Sequence, residues 1–333
     1  MSEFANELIE LIGNLAKDAD DPSGQMPSQW RTIQELGLVT IGIAENAGGS
    51  GGGLDDLLVV IRELARAGIG TPIVEASTAA FAIGPPKDDT FDTIVVNHVV
   101  NLAATTLTAR LGAVPFAGQA DRLVVVGDSD IVAVPLEQAG VAIEVTTDVA
   151  GLPAGKVRLN GAAYQPVPHA PDRAVVVERL TLARSAALLG SARGAYELTR
   201  SYVFEREQFG APLVKIPAIS SALAQMAVRI RHAESAFERA IEVCTQPGAP
   251  ALRRFGAVAS ARVTAAGTAT LVARSAHQLH GAVGVTQEYA LHRHTRNLWN
   301  WRDADESERA FSGRLGAMAL AVDENTLWNQ ILA

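Results

Sequence analysis

Cysteine, charge and long hydrophobic runs are all scarce in this sequence. Its 333 residues include one cysteine, 19% charged residues and 48% hydrophobic residues, and the formal net charge is −8. The single cysteine, Cys244, excludes an intrachain disulfide framework and is typical of a protein from a reducing compartment. We interpret Cys244 as a small buried hydrophobic residue rather than a nucleophile. A chain of this length and composition is expected to fold into two or three globular domains.

Basic runs, membrane-length apolar segments and metal-binding clusters are also missing. An acidic chain without a basic run is a poor partner for nucleic acid. No apolar run approaches the roughly 20 residues of a membrane-spanning helix, and the acidic N-terminal residues do not resemble a signal peptide. Four histidines near the C-terminal end lack the spacing of a metal site; they are His277, His280, His292 and His294. The sequence therefore predicts a cytoplasmic protein without a metal, a membrane anchor or a nucleic-acid partner.

Three compositional zones predict three domains, at residues 1–84, 85–170 and 171–333. The first zone shows helical periodicity, with amphipathic stretches at Leu8–Leu15 and Leu57–Ala67. The middle zone contains short β-branched runs between glycine and proline breaks, a pattern that predicts a small antiparallel sheet. These runs are Leu123–Val126, Ile131–Val134, Val141–Val145 and Lys156–Leu159.

The last zone has long helical segments joined by short turns, a pattern that predicts an antiparallel four-helix bundle. The predicted helices lie at about 172–206, 218–245, 250–280 and 287–296. The predicted fold class is therefore mainly α with a small β domain: an N-terminal helical domain, an abbreviated antiparallel β domain and a C-terminal four-helix bundle.

A glycine-rich segment, Gly37–Gly53, lies between the helices of the first zone. Its composition is similar to that of a phosphate-binding loop. No strand-to-helix turn with Gly-Lys-Ser/Thr follows it, however. We therefore interpret the segment as a flexible connector between helices.

Two short motifs in the last zone carry recognisable chemistry. They are Arg206-Glu207-Gln208-Phe209-Gly210 and Gln278-Leu279-His280-Gly281-Ala282-Val283-Gly284. A guanidinium is a planar, bidentate group for anions, and glycines let the backbone approach a ligand closely. The combination suits a phosphate-bearing cofactor held between helices. The alternative for Arg206 is a surface cation at a helix C-terminus, where the helix dipole favours it.

The order of these zones and motifs resembles the acyl-CoA dehydrogenase family. Tyr202–Leu213 is similar to the Y…R-x-x-F-G helix end of that family. His277–Tyr289, followed by Arg296, resembles its Q-x-x-G-G-x-G…E-Y…R signature, and Glu45–Gly49 resembles its P-E-x-x-G-G-x-G segment. The resemblance is strong over about half of the chain, weaker over the first zone and nearly absent from the middle zone.

The resemblance implies a cofactor, a substrate class and a set of site residues. In this family the two C-terminal motifs reach across a subunit interface to the pyrophosphate and adenosine side of FAD. The implied FAD contacts form two walls: Arg206, Gln208 and Phe209 on one, and Gln278, Gly281 and Ala282 on the other. The implied substrate is an acyl-CoA thioester, from which a carboxylate removes the α proton while the β hydride passes to the flavin.

The middle zone departs from the family pattern. The family carries a Thr-Glu-Pro…Gly-Ser-Asp segment and a Trp-x-x-(Thr/Ser)-Asn segment, which hold the isoalloxazine ring. The corresponding stretch here, Leu107–Phe116, contains neither segment, and no tryptophan lies between Trp30 and Trp299. The sequence therefore lacks the ring-binding half of a flavin site as the family builds it.

The catalytic base is the second departure. Removal of an α proton requires a carboxylate in an apolar cleft, where desolvation raises its pKa. Counting along the C-terminal signature puts Asp305, with Glu306 beside it, at the position of the base in one branch of the family, but this acidic run is also typical of a solvated helix start. Glu178 resembles the base of the other branch, two residues out of register and so about 200° around the helix. Arg184 is a candidate contact for the CoA tail.

The matches and departures together predict a subunit of a heteromeric, two-by-two acyl-CoA dehydrogenase, such as actinobacteria use in the β-oxidation of steroid side chains. Those enzymes pair a full-length subunit with a shorter, partly degenerate one, which this chain resembles. The predicted heterotetramer holds two FAD molecules, and the full-length partner supplies the base. One alternative is a self-sufficient homotetrameric flavoenzyme, acting on an acyl-CoA or a nitroalkane, with Asp305, Glu306 or Glu178 as base. Another is a flavin-free scaffold subunit.

Overall fold

The computed structural model describes residues 4–18, 24–87, 90–96, 105–128, 130–168 and 170–332. The chain divides into two compact units, the first comprising Met1–Val60 and Gly70–Leu180 and the second Ile61–Ile69 and Thr181–Ala333. The α-helices of the described residues are α1 (Ala5–Leu15), α2 (Gln29–Glu35), α3 (Leu54–Arg66), α4 (Ile73–Ile83), α5 (Arg173–Glu205), α6 (Pro217–Thr245), α7 (Ala251–His280), α8 (Leu291–Asp303), α9 (Glu308–Leu320) and α10 (Glu324–Leu332). The strands are β1 (Asp92–Val96), β2 (Thr106–Pro115), β3 (Arg122–Val126), β4 (Ile131–Pro135), β5 (Val141–Thr147), β6 (Pro153–Ala163), β7 (Gln165–Pro166), β8 (Glu207–Gln208) and β9 (Ala211–Pro212).

Two sheets form the β part of the first unit. One has the strand order β1-β3-β4-β7 and the other the order β2-β6-β5. An apolar core is shared by residues of both sheets, because β-branched and leucine side chains alternate inward along their strands. Its buried members include Leu107, Leu111, Leu123, Val125, Val132, Val134, Val157 and Leu159.

Strand β6 shows how the sequence pattern sets the two faces of its sheet. Val157 and Leu159 are buried, whereas Lys156, Arg158 and Asn160 are exposed. This strict alternation places the apolar side chains in the core and the charged side chains on the outer face. The outer face of the three-stranded sheet is therefore polar.

The β domain confirms the predicted runs and adds strands that the runs did not reveal. The four predicted runs lie within β3, β4, β5 and β6. Strand β1 was not predicted, and it pairs with β3 in parallel, with Asp92 opposite Arg122. The Arg122 guanidinium donates to both Asp92 carboxylate oxygens, at 2.9 and 2.7 Å, and this pairing raises the pKa of Arg122. This ion pair fixes the register between β1 and β3, two parallel strands that the prediction of an antiparallel sheet did not include.

The glycine-rich segment connects α2 and α3, as predicted, and forms a hydrogen-bonded loop. The amide of Gly42 donates to the Gly51 carbonyl at 2.8 Å, and the amide of Gly51 donates to the Ile43 carbonyl at 2.9 Å. A side chain at Gly49 would collide with the carbonyl of Ile43. Glycine is therefore needed here for close backbone approach within a hydrogen-bonded loop.

Helix α7 is the central helix of the second unit and packs against α6, α8, α9 and α10. Helix α6 contributes one buried stripe with a spacing of three or four residues, as expected for a helix that packs along one side. The stripe consists of Leu223, Met226, Ile230, Ala233, Phe237, Ala240 and Val243. The first three predicted bundle helices agree with α5, α6 and α7. The fourth begins later and ends later than predicted, at Leu291–Asp303, and α9 and α10 follow it.

Helix α7 also meets the length and composition criteria of a membrane span. Together with the turn that follows it, Ala251–Val285 reaches a mean hydropathy of 1.2 over an 18-residue window. Of that window 56% is buried within the protein. A core helix of a globular unit meets the same criteria, and we interpret α7 as such a helix.

The burial of two residues in the second unit, His294 and Cys244, can be compared with their sequence patterns. The imidazole of His294 packs against Gly194 of α5, where a β-carbon would overlap it, and burial lowers the pKa of His294 to about 4. His294 is therefore a neutral core residue. Cys244, expected to be buried, is half-buried.

Candidate cofactor-binding site

The first motif forms a tight hairpin at the end of α5. The amide of Arg206 donates to the Tyr202 carbonyl at 2.8 Å, and the Leu213 amide donates to the Arg206 carbonyl at 2.9 Å. Strands β8 and β9 leave only Phe209 and Gly210 as the loop, with φ angles of 56° and 82°. Positive φ at both loop residues is the pattern of a type I′ turn, whose twist matches that of paired strands.

Phe209 occupies an unfavourable backbone conformation for a bulky side chain. The left-handed region costs a non-glycine residue about 1–2 kcal/mol, and Asn, Asp or Gly is the usual choice at this turn position. The residue is 92% exposed, so packing against the described residues does not offset this strain. Observed strain of this kind is found at ligand-binding positions, where an external contact repays it.

The cation of the first motif is also exposed. The Arg206 guanidinium has neither a hydrogen bond nor an ion pair with any residue that the structure describes. Gln208 is exposed beside it. An unpaired guanidinium, an amide and an aromatic ring are thus presented on one short hairpin. They suit a ligand with an anionic group and a flat ring.

The second motif begins on the last turn of α7 and continues into a 3-10 turn at Gly281–Val285. Gln278 and Ala282 are exposed. Gly281 has a φ of 61° and a ψ of −137°, a conformation that is almost restricted to glycine. A β-carbon at Gly281 would meet no atom within 4 Å. The turn therefore presents an open surface that a ligand can approach closely.

An aromatic cluster brings the two motifs together. The rings of Tyr202 and His280 are stacked with centroids 4.4 Å apart, and Tyr289 packs edge-on to Tyr202 at 6.0 Å. The Tyr202 hydroxyl donates to the His280 carbonyl at 3.4 Å. Tyr202 precedes Arg206 by about one helical turn, and His280 immediately precedes Gly281. The contact between Tyr202 and His280 thus brings together the two helix ends that carry the predicted motifs, both within the second unit.

Burial fixes the protonation state of His280. Its Nδ1 is 2.8 Å from the Ala276 carbonyl, and since a carbonyl only accepts, Nδ1 carries the proton. Burial lowers the pKa of His280, so the ring is neutral near pH 7 and stacks as an uncharged aromatic. The sequence revealed Tyr202 only as part of the helix-end motif. The available signal for its role was its position one turn before Arg206, on the same helix face.

The base candidates occupy different surroundings from those that a base requires. Asp305 accepts a hydrogen bond from Nε of Arg184 at 2.9 Å, and Arg184 is only 3% exposed. Asp305 itself has a φ of 59°, a conformation that aspartate tolerates. Glu306 pairs with Arg314 at 2.8 Å. Asp305 is an exposed residue shortly before the start of α9, in agreement with the expected solvated helix start. Both acidic side chains nevertheless pair with arginines of the same chain.

A second buried guanidinium supports the Asp305 segment. Arg262 is 1% exposed and donates to the carbonyls of Trp301, Arg302 and Ala304 at 3.1, 2.9 and 3.2 Å. Burial lowers the pKa of Arg262 to about 10, and the nearby Asp305 carboxylate partly offsets this effect. Asp305 thus neutralises a buried basic pair, a structural task rather than one directed at a substrate.

Two further residues that the sequence singled out are placed differently from expectation. Arg184 was a candidate contact for a CoA tail, but its side chain is buried and holds Asp305. Glu178, the out-of-register candidate base, is half-buried and has a partner within the protein. Among the residues that the structure describes, no group of three His, Cys, Asp or Glu side chains is placed to hold a metal ion.

The residues present fit one part of FAD. Arg206 presents an exposed guanidinium, a group that binds phosphates in a bidentate manner, and the Gly281 turn is open to close approach. The strained Phe209 ring supplies an aromatic face. All of these groups are supplied by the second unit.

Comparisons with known proteins identify the family. The model of the acyl-CoA dehydrogenase N-terminal domain matches residues 2–85, and that of the C-terminal domain matches residues 172–299. Acyl-CoA dehydrogenase IpdE2 of Mycolicibacterium smegmatis is 24% identical over 306 residues, which cover 87% of this chain and 91% of that protein.

Solved structures show the same fold. A variant of the Tcur3481–Tcur3483 steroid ACAD superimposes with a TM-score of 0.84 at 23% identity, covering 96% of this chain and 99% of that chain. The ChsE4–ChsE5 complex from Mycobacterium tuberculosis gives a TM-score of 0.84 at 21% identity, covering 97% of this chain and 99% of that chain. The predicted fold class and the expectation of FAD as cofactor are both confirmed. This chain belongs to the acyl-CoA dehydrogenase family, the FAD-binding oxidoreductases that act on the CH–CH bond of acyl-CoA thioesters.

Proposed function

We propose that this chain is the shorter subunit of a heteromeric acyl-CoA dehydrogenase. It contributes contacts to the adenosine and pyrophosphate side of FAD across a subunit interface. A full-length acyl-CoA dehydrogenase subunit supplies the catalytic base and the groups that hold the flavin ring. The observation that carries this proposal is the contrast between two sets of residues. The Arg206 guanidinium has no partner among the described residues and the Gly281 turn is open, whereas Asp305 and Glu306 pair with arginines of the same chain.

The cofactor motifs support the first half of the proposal. Arg206 has neither a hydrogen bond nor an ion pair with the described residues, and Phe209 is held in strain with its ring in solvent. In the isolated chain the Phe209 backbone is strained and the Arg206 guanidinium binds nothing among the described residues. A ligand that contacts this hairpin from outside accounts for both features. A FAD molecule held mainly by another subunit is such a ligand.

The base position supports the second half. A general base must reach the proton that it removes and must lie in an apolar cleft. Asp305 instead makes an ion pair with a buried arginine. The missing ring-binding segments of the middle zone lead to the same conclusion, since the reaction takes place at the ring. Bound FAD supplies the hydride acceptor; in our account this chain's residues orient the cofactor and leave proton removal to the partner.

Two similar structures support the proposal of a partner subunit and of a steroid substrate. One similar structure is a steroid ACAD with two named components, and another is a complex of two named proteins. By analogy we propose a two-by-two heterotetramer with two FAD molecules, acting on an acyl-CoA, with steroid side-chain CoA esters as the first compounds to test. We also propose a cytoplasmic location and domains at residues 1–84, 85–170 and 171–333.

The experiment that tests this function is co-expression with a full-length acyl-CoA dehydrogenase encoded by a neighbouring gene. The expected product is a yellow complex of both chains that oxidises an acyl-CoA in the presence of an artificial electron acceptor. The same assay with either chain alone gives no turnover. Turnover by this chain alone would support the homotetramer, and a complex whose flavin needs only the partner would support the scaffold.

Phe209 offers a test that separates stability from cofactor binding. Phe209→Gly removes the left-handed strain, so we expect the free energy of unfolding to stay unchanged or to rise by up to about 1 kcal/mol. The lost aromatic contact should at the same time weaken FAD retention by the complex several-fold. Urea unfolding of the chain and flavin absorbance of the complex are the two measurements. Leu213→Ala, in the same segment, is the control for a general loss of packing. Unchanged FAD retention in Phe209→Gly would remove Phe209 from the site.

A further inference from the structure

A cationic cleft lies on the outer face of the three-stranded sheet in the first unit. Its volume is about 310 Å³, and Arg110, Lys156 and Arg158 are among the residues that line it. We name these three residues and the space between them the cationic cleft. The lining includes one carboxylate, Glu144, so three cations and one anion leave an excess of two positive charges. The whole chain, in contrast, carries a net charge of −8.

The register of the strands places two guanidiniums side by side. Arg110 of β2 is directly opposite Arg158 of β6, and both residues are exposed. Side chains at directly opposed positions are about 5 Å apart at their β-carbons, and like charges there are destabilising. The arrangement therefore has an electrostatic cost in the absence of an anion.

Nothing within the described part of the chain neutralises this pair directly. Glu144 is the acidic residue of the cleft, and its carboxylate is taken by Lys156 at 2.7 Å. Proximity to Lys156, with a smaller contribution from Arg158, lowers the pKa of Glu144. Arg110 and Arg158 make no hydrogen bond and no ion pair with the residues that the structure describes. Two planar donor groups are thus free to bind one external anion.

The size and charge of the cleft select the class of ligand. A volume near 300 Å³ lies at the lower end of the range for small-molecule sites. Two guanidiniums with a nearby ammonium match the tetrahedral oxygens of phosphate, which arginine binds in a bidentate manner. A macromolecular polyanion needs a longer row of cations than these three. We propose that the cationic cleft binds a phosphate-bearing small molecule, with Arg110 and Arg158 as the principal contacts.

Titration calorimetry of the full chain with inorganic pyrophosphate tests this proposal. We expect saturable binding that weakens as salt is raised, since the contacts are ionic. Arg110→Gln and Arg158→Gln should each raise the dissociation constant at least tenfold. Arg31→Gln is the matched control, because it removes one exposed arginine of α2 that pairs with Glu35 away from the cleft. This variant should bind as the wild type does.

Urea unfolding of the variants and binding of a second ligand complete the test. Each cleft variant relieves like-charge repulsion, so its unfolding midpoint in urea should not fall, and a loss of binding can then be separated from a loss of folding. Adenosine 3′,5′-bisphosphate serves as the nucleotide arm: tighter binding than pyrophosphate assigns the phosphate to a nucleotide, and equal binding assigns it to a free phosphate compound. Absence of saturable binding of either compound would overturn the proposal, as would equal weakening by Arg31→Gln.

Discussion

Replacing Arg206 with glutamine is expected to weaken FAD binding by the heteromeric complex by about 10- to 150-fold. Removal of a charge-assisted hydrogen bond costs about 1.5–3 kcal/mol, and every 1.4 kcal/mol is a factor of ten in affinity. The full effect is expected because the Arg206 guanidinium is exposed and has no partner among the described residues. Glutamine keeps the length and polarity of the side chain but lacks the fixed charge and the forked donor.

The measurement for Arg206 is the FAD content of the purified complex, followed by a dissociation constant from flavin fluorescence. Arg193→Gln is the matched control, because Arg193 is an exposed arginine of the same helix that pairs with Glu197 at 3.1 Å. This control should retain FAD and lose at most a few tenths of a kcal/mol of stability, as is typical of an exposed pair four residues apart. Equal FAD affinity in Arg206→Gln and wild type would contradict the cross-interface role and favour the scaffold alternative.

Replacing Asp305 with asparagine is expected to destabilise the chain without abolishing turnover of the complex. Removing one member of a buried ion pair costs about 3–5 kcal/mol. Because the Asp305 side chain is 25% exposed while that of Arg184 is 3% exposed, we expect about 2–3 kcal/mol, below the range for a fully buried pair. Asparagine tolerates the left-handed backbone at this position, so the variant tests the charge alone.

Turnover distinguishes the two roles of Asp305. Loss of a general base lowers the rate by about 10²- to 10⁴-fold, whereas our account predicts a change of less than about tenfold in a complex that remains assembled. Glu306→Gln is the control, since its partner Arg314 is exposed and such a pair contributes about 0–1 kcal/mol. A loss of several orders of magnitude in Asp305→Asn, with unfolding unchanged, would identify Asp305 as the base and support the self-sufficient enzyme.

The candidate cofactor site was accessible from sequence in part. Arg206, Phe209 and Gly281 belong to short local motifs, so residue type and order were sufficient to propose an anion site next to small residues. The strain at Phe209 was not accessible, because φ depends on the turn that the flanking strands impose. The stacking of Tyr202 on His280 was also hidden, since it depends on how two distant helix ends meet.

The ion pair between Asp305 and Arg184 could not be predicted from sequence. Asp305 and Arg184 are 121 positions apart, and no local pattern indicates their pairing. The acidic run around Asp305 is typical of a solvated helix start, and only tertiary packing shows that one of its acids pairs with a buried cation. Counting along the sequence reaches Asp305 but cannot say what its side chain contacts.

The fold was predicted best where its periodicity was strongest. The helices α5, α6 and α7 and the β-branched strands agree with their patterns. Strand β2 was missed because it carries alanine, glycine and arginine in place of a β-branched run and has two irregularities in its pairing with β6. Strand β1 pairs in parallel with β3, and parallel pairing leaves no hairpin signal in the sequence.

The ratio of FAD to protein distinguishes a flavin site shared with a partner from a complete site within this chain. The chain is purified alone and again with its full-length partner, and the FAD released from each sample is quantified against protein concentration. Our account predicts that the chain alone is colourless and inactive, and that the complex contains one FAD for each pair of unlike chains. A yellow preparation of the chain alone, with one FAD per chain and full dehydrogenase activity, would contradict it.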